Sequence, residues 1–263
     1  MYVQDLHAAL VDMVRTWVQT GADVRETGYG SVVRDLRHPL VHDANLAWVD
    51  RAPDGGPETI VRDLDAAFLG TDVHHRFALF ADAQVAYECQ GAFAASGFRP
   101  LAELVMAKVG LPSCIVNPDL EIREIGTDAP EGDYRRVQAT IHEESGYGKE
   151  ESGQLYALDR ERATALHEKT FVGYVREEPA AAYKLWPRGR FAVIGNVATL
   201  PAFRMRGIGR TMIFDACRRS MTARCEYALL TTDLFDTPQA MYKTLGFEPV
   251  GELRGFVRRR RVS

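Results

Sequence analysis

The stretch Phe191-Ala-Val-Ile-Gly-Asn-Val197-Ala198-Thr199-Leu-Pro201-Ala-Phe-Arg204-Met205-Arg206-Gly207-Ile208-Gly209-Arg210 decides how the rest of the chain is read. Residues 191–200 form a mostly apolar, partly β-branched run of strand length, and Pro201 ends it. Six residues later Gly207-Ile208-Gly209 opens a helix whose apolar face is Ile208, Met212, Ile213 and Ala216. In a strand, glycine loop and helix, backbone N–H groups converge on an anion. Glycine permits close approach, and the helix N-terminus leaves unpaired donors and a partial positive charge. Arg204, Arg206 and Arg210 add fixed charge around the turn, which suits a pyrophosphate. A nucleoside-triphosphate loop is excluded, because no Gly-Lys-Ser or Gly-Lys-Thr occurs. A dinucleotide fingerprint fails at its third glycine, where Met212 stands. Two glycines alone do not separate an anion cradle from a plain tight turn.

The surroundings separate them. Val197 to Arg210 resembles the acyl-CoA motif of the GNAT superfamily of N-acetyltransferases, [RQ]-x-x-G-x-[GA] directly after a central strand. Downstream, Asp236-Thr-Pro-Gln-Ala-Met-Tyr242-Lys-Thr-Leu-Gly246-Phe247 resembles that family's second motif, a helix with a tyrosine four residues before Gly-Phe. The strand-like Tyr227 to Thr232 lies between the two. The resemblance covers about 116 to 258. It implies an α/β (α+β) fold, with a mixed, mainly antiparallel central sheet flanked by helices.

The resemblance also implies acetyl-CoA as co-substrate, lying along the strand 191–200. Main-chain groups of Val197, Ala198 and Thr199 would meet the pantetheine arm and the acetyl oxygen. The pyrophosphate would sit on N–H groups of Arg204, Met205, Arg206, Gly207, Ile208, Gly209 and Arg210. Thr199 stands where the family more often has an apolar residue, which matters little for a backbone contact. Tyr242 is the expected general acid for the CoA thiolate, a phenol of pKa about 10 matched to a thiol of about 8.5. Taken alone, Tyr242 also reads as a half-buried aromatic packing its helix on the sheet. The base stays open among His142, Glu143 and Glu144, before a glycine-broken loop Ser145 to Gly153, then Asp233, Asp236 and an ordered water. Asp236 also reads as the N-cap of the Tyr242 helix.

Outward from this core the pattern is regular. Leu120 to Ile125 alternates as a half-buried strand. Tyr134, Val137 and Ile141 share a helical face, and 158–168 reads as a second helix. Strand-like runs follow at 170–176, 180–186 and 191–200, a helix at 207–221 and a strand at 227–232. A helix at 237–245 and a strand at 250–258 complete the order. Two prolines and a glycine at 110–118 suggest a boundary, giving domains 1–115 and 116–263. Gly97-Phe98-Arg99-Pro100-Leu101-Ala102-Glu103-Leu104 matches Gly246-Phe247-Glu248-Pro249-Val250-Gly251-Glu252-Leu253 at five of eight positions. Two similar domains in tandem are therefore predicted. The first is degenerate: it lacks an R-x-x-G-x-G segment, and Phe93 replaces the tyrosine.

Composition narrows the alternatives. The 263 residues are 46% hydrophobic and 26% charged, enough for a real core. A net charge of −4 gives no global attraction to nucleic acid or anionic membrane, and Arg258 to Arg261 reads as a solvated terminal strand or frayed tail. Cys89, Cys114, Cys217 and Cys225 are scattered without metal spacing, which suits reduced thiols in a cytoplasmic protein with no metal. Leu6, Leu10, Met13, Val14 and Trp17 mark an amphipathic N-terminal helix rather than a signal peptide. The expected partner is a small-molecule amine acceptor, with no nucleic acid and no membrane; a homodimer is left open. The competing reading is a non-catalytic acyl-CoA-binding regulatory module.

Overall fold

The computed structural model describes residues 3–234 and 238–259. The chain forms two compact units. One takes residues 11–104 with the chain from 251 on, and the other takes 105–250 with the chain up to residue 10. The division falls after Leu10, Leu104 and Val250, in place of the single boundary that 110–118 suggests.

The first helix, α1 (Val3–Gln19), buries Leu6, Leu10 and Met13 at the spacing the sequence shows. The hairpin β1 (Asp23–Thr27) and β2 (Gly30–Arg34) continues antiparallel into β3 (Asn45–Val49). After α2 (Glu58–Ala67), β4 (His75–Phe80) lies parallel to β3. Helix α3 (Ala83–Ala95) opens where the Asp82 side chain accepts the Gln84 N–H at 2.7 Å, and β5 (Arg99–Val109) follows.

In the other unit, β6 (Leu120–Glu124) leads to α4 (Glu131–Glu144) and α5 (Lys149–Leu166). Then come β7 (Lys169–Val175), β8 (Glu178–Arg188), β9 (Phe191–Thr199), α6 (Ile208–Thr222), β10 (Tyr227–Asp233) and α7 (Pro238–Thr244). The sheet runs β6-β7-β8-β9-β10, antiparallel up to β9 and parallel between β9 and β10. The last strand, β11 (Glu248–Arg259), pairs antiparallel with β4 through Arg254–Arg259, which places the chain end in the first unit. Each unit is thus a mixed, mainly antiparallel sheet flanked by helices.

Two expectations change. The second helix starts at Lys149, so most of the supposed loop Ser145 to Gly153 is helical. Glu150 and Glu151 in its first turn favour the helix N-terminus, and good helix formers carry Gly153, whose interior penalty is only about 1 kcal/mol. Arg258 does lie in the terminal strand, β11, but is not solvated there: it bonds Asp65 at 2.6 Å and the Ser96 carbonyl at 3.1 Å, and lies 4.7 Å over the Phe98 ring. Arg260, Arg261 and Asp236, with the cap assigned to it, fall outside the described residues.

The internal echo is structural. β3-α2-β4-α3-β5 repeats the order β9-α6-β10-α7-β11, with a parallel pair opening each. Gly97 and Gly246 take φ of 78° and 80°, ending α3 and α7 in the left-handed conformation that glycine allows. In both places the next N–H reaches back five residues at 3.0 Å, Phe98 to the Phe93 carbonyl and Phe247 to that of Tyr242.

Candidate active site

β9 is released from its parallel neighbour part-way along. It pairs with β10 at Phe191↔Tyr227, Ala192↔Ala228 and Val193↔Leu229, and the register goes no further among the described residues. On its other side it stays with β8 to Thr199↔Ala181, through an irregularity where Asn196 and Val197 stand against Tyr183 alone. Asn196 takes a φ of 49° at this bulge. From Ile194 to Thr199 the edge toward β10 therefore has no strand ladder, leaving main-chain groups for another partner.

Beyond β9 a 3-10 turn at Pro201–Phe203 leads into the loop before α6. Gly207, at φ 74°, is the residue before the helix, and Met205 at φ 61° is fully exposed. Asn117 fastens the loop from outside: its Nδ2 donates to the Arg206 carbonyl at 2.9 Å, and its N–H donates to Thr211 Oγ1 at 2.8 Å. The Thr211 N–H closes the first helical bond on the Gly207 carbonyl, so the N–H groups of Ile208, Gly209 and Arg210 have no acceptor within the helix. A Cβ at Gly209 meets Thr199 Oγ1 and Met241 Sδ at 3.5 and 3.6 Å, which is ordinary contact; backbone conformation demands glycine only at Gly207. Arg206 and Arg210 are exposed around the turn. Arg204 is engaged elsewhere, its guanidinium bidentate on Glu144 and its Nε on the Thr199 carbonyl at 3.1 Å.

A polar network lies behind the bulge. Tyr134 Oη donates to Asp159 at 2.9 Å, and Asn196 Nδ2 donates to Tyr134 Oη at 3.1 Å and to Asp159 at 3.0 Å. Buried Lys184 bridges Asp159 at 2.5 Å and Glu168 at 2.7 Å. Burial disfavours the Lys184 ammonium, but the two carboxylates overcome it and hold its pKa above the ordinary lysine value. The only signal in the sequence was a lysine inside the apolar run 180–186.

Tyr242 is buried on α7, its ring 5.9 Å from that of Phe247. Of the basic-group candidates, Glu144 is held by Arg204, whose hydrogen bonds lower its pKa. Glu143 and Asp233 are exposed. His142 is half-buried, with Nδ1 2.9 Å from Ser152 Oγ.

Residues 123–247 match the model of the acetyltransferase (GNAT) family. This segment is a GNAT-family acetyltransferase domain. Its family makes it an acyltransferase domain that draws on an acyl-CoA. The whole chain shares its fold with a conserved protein of Staphylococcus epidermidis (TM-score 0.72, 14% identity, 91% of this chain and 95% of that one). It also matches a GCN5-related N-acetyltransferase from Kribbella flavida (0.65, 14%, 95% of each chain). A tandem GNAT protein from the clavulanic acid biosynthesis pathway superposes over 99% of this chain and 94% of its own, with a TM-score of 0.62 and 14% identity. At these identities the likeness concerns fold alone. No curated protein matches the chain.

The tandem arrangement explains the N-terminal echo. Where the GNAT domain has its arginine-flanked turn between β9 and α6, the first unit has Pro53-Asp54-Gly55-Gly56-Pro57-Glu58 between β3 and α2. There a Cβ at Gly56 would meet the Glu58 carboxylate at 2.9 Å, so an acid occupies the helix start. An anion is disfavoured at that turn. No helix among the described residues is long and apolar enough to cross a membrane.

Proposed function

We propose that the GNAT domain transfers an acetyl group from acetyl-CoA to a primary amine of a small-molecule acceptor by direct attack on the thioester. The observation that carries this reading is the release of β9 from β10 after Val193, directly before the loop that ends at Gly207. The pantetheine amides lie along the freed edge at Val197, Ala198 and Thr199, and the pyrophosphate rests on the N–H groups from Arg204 to Arg210. Tyr242 protonates the departing thiolate. A reduced cytoplasmic setting suits the four free cysteines.

The test pairs two measurements on the purified chain. Calorimetry with acetyl-CoA reports binding, and mass spectrometry across an amine panel reports acetyl gain that requires acetyl-CoA. Binding with amine-dependent turnover supports the reading. Binding without turnover across the panel leaves a non-catalytic acyl-CoA module. Absence of binding overturns both.

A further inference from the structure

Two anchors bring α4 over the freed edge of β9. Toward the helix start, Tyr134 Oη accepts from Asn196 at the bulge; at its end, Glu144 holds Arg204, whose Nε binds the Thr199 carbonyl. Tyr134, Gln138 and His142 follow at four-residue spacing on one stripe about 12 Å long; its first residue meets Asn196 of β9, and its first and last meet Asp159 and Ser152 of α5. The stripe contains an unmet donor. Gln138 is 6% exposed, and its Nε2 has no hydrogen-bond partner among the described residues. A buried N–H without an acceptor is uncommon, and a ligand oxygen is one way to complete it.

His142 ends the stripe. Ser152 of α5 meets its Nδ1 at 2.9 Å, and Tyr147 stands edge-on to its ring at 5.7 Å. With Nδ1–H donating to the serine, the lone pair lies on Nε2. Resting on the acetyltransferase reading, we propose that His142 Nε2 deprotonates the acceptor amine and that Gln138, one turn earlier, receives an oxygen carried by that acceptor. The acceptor class is accordingly an amine bearing a hydroxyl, carbonyl or carboxylate.

The proton balance closes. His142 takes the proton that the ammonium form must lose. The C–N bond then forms and the C–S bond breaks. Tyr242 protonates the thiolate, and the second proton released from nitrogen returns to the phenolate through solvent. The charges around His142 agree with this role. Burial lowers its pKa, and Asp159 and Glu151 of α5 only partly oppose that, so the imidazole is neutral near pH 7. From β8, Lys184 pairs with Asp159; from β9, Asn196 reaches the same carboxylate; from β7, Tyr174 binds Asp133 far along the helix. On α4 itself Glu143 is exposed and Glu144 is paired with Arg204.

The experiment uses the full chain with acetyl-CoA and three probe amines: propylamine, 3-aminopropan-1-ol and β-alanine. In the wild type, kcat/KM falls at acid pH along one limb, and imidazole NMR places the His142 titration at the same midpoint, lower than that of an ordinary histidine. His142→Gln removes that limb, lowers kcat at pH 7 by about 10²- to 10³-fold and leaves the acetyl-CoA Kd unchanged. Ser152→Ala, the milder change, moves the limb and the NMR midpoint together. Gln138→Leu lowers kcat/KM for the two oxygen-bearing amines at least tenfold more than for propylamine. An acid limb that persists in His142→Gln, or an equal loss on all three amines in Gln138→Leu, overturns the corresponding assignment. Turnover of none of the amines by a chain that binds acetyl-CoA overturns both and leaves the coenzyme site standing. A chain that does not bind acetyl-CoA fails at the underlying reading instead.

Discussion

The Arg204 guanidinium lies bidentate on the Glu144 carboxylate, while its Nε donates to the carbonyl of Thr199. One side chain thus occupies both a carbonyl assigned to the pantetheine and a charge assigned to the pyrophosphate. On the coenzyme placement proposed above, acetyl-CoA competes with Glu144 for Arg204. The pair is exposed on both sides, so the competition is modest and weakened by salt. Glu144→Gln is expected to tighten acetyl-CoA binding about two- to fivefold at low salt, and Arg204→Leu to weaken it. Calorimetry at two salt concentrations checks the opposite signs; loss of affinity in both variants would refute the competition.

Gly207 holds a left-handed backbone with open space around its Cβ position, so conformation rather than crowding is what a substitution disturbs. Gly207→Val is expected to reduce acetyl-CoA affinity more than tenfold, at a cost in stability of about 1–2 kcal/mol. Gly209→Val places its methyls against Thr199 and Met241 and should also lower affinity, with less effect on the melting temperature. Unchanged affinity in both variants would remove the phosphate assignment from this turn.

Tyr242 and Phe93 hold the same place in the two units, before Gly246 and Gly97. Tyr242→Phe makes the second unit like the first. The expected outcome is a fall in kcat of about 10² or more with an unchanged acetyl-CoA Kd. Stability should drop by no more than about 1.5 kcal/mol for the lost hydroxyl. A wild-type kcat in this variant would reduce Tyr242 to a packing residue.

Asp215 on α6 gathers Tyr183 Oη at 2.6 Å, Arg219 Nε at 2.7 Å and Arg218 Nη2 at 2.5 Å. Burial opposes its carboxylate, but these three donors outweigh burial and lower its pKa. With the folded pKa below the unfolded value of about 3.9, its stabilisation is present above that pH and lost as pH falls through the folded pKa. Asp215→Asn should therefore be less stable than wild type at pH 7, with the difference shrinking below about pH 4. Urea unfolding at several pH values measures this, and a gap independent of pH would argue against the assignment.

Lys184 bridges the carboxylates of Asp159 and Glu168, deep in the sheet. Lys184→Met leaves two carboxylates facing one another and should destabilise the chain by about 3–5 kcal/mol. Lys184→Met/Glu168→Gln should recover part of that loss in the same denaturant titration. No recovery would mean that packing, not charge, is what Lys184 supplies.

The element order, the glycine turn before α6, the tyrosine helix and the Gly-Phe echo were legible in the amino-acid sequence, because each is written within a few turns or strands of chain. Hydrophobic period, helix propensity and left-handed glycines are local properties, and they carried the fold class and the family resemblance. What the chain does across long separations was not legible. Arg204 meets Glu144 over 60 residues and Asn196 meets Asp159 over 37, while β11 closes on β4 rather than ending a separate domain. Single charges in loops look alike in sequence. Only packing decides that Arg204 is already paired, that Gln138 is buried with an unmet donor, and that His142 meets Ser152 of α5. Such pairings depend on which surfaces come together on folding, and no short window of residues encodes that.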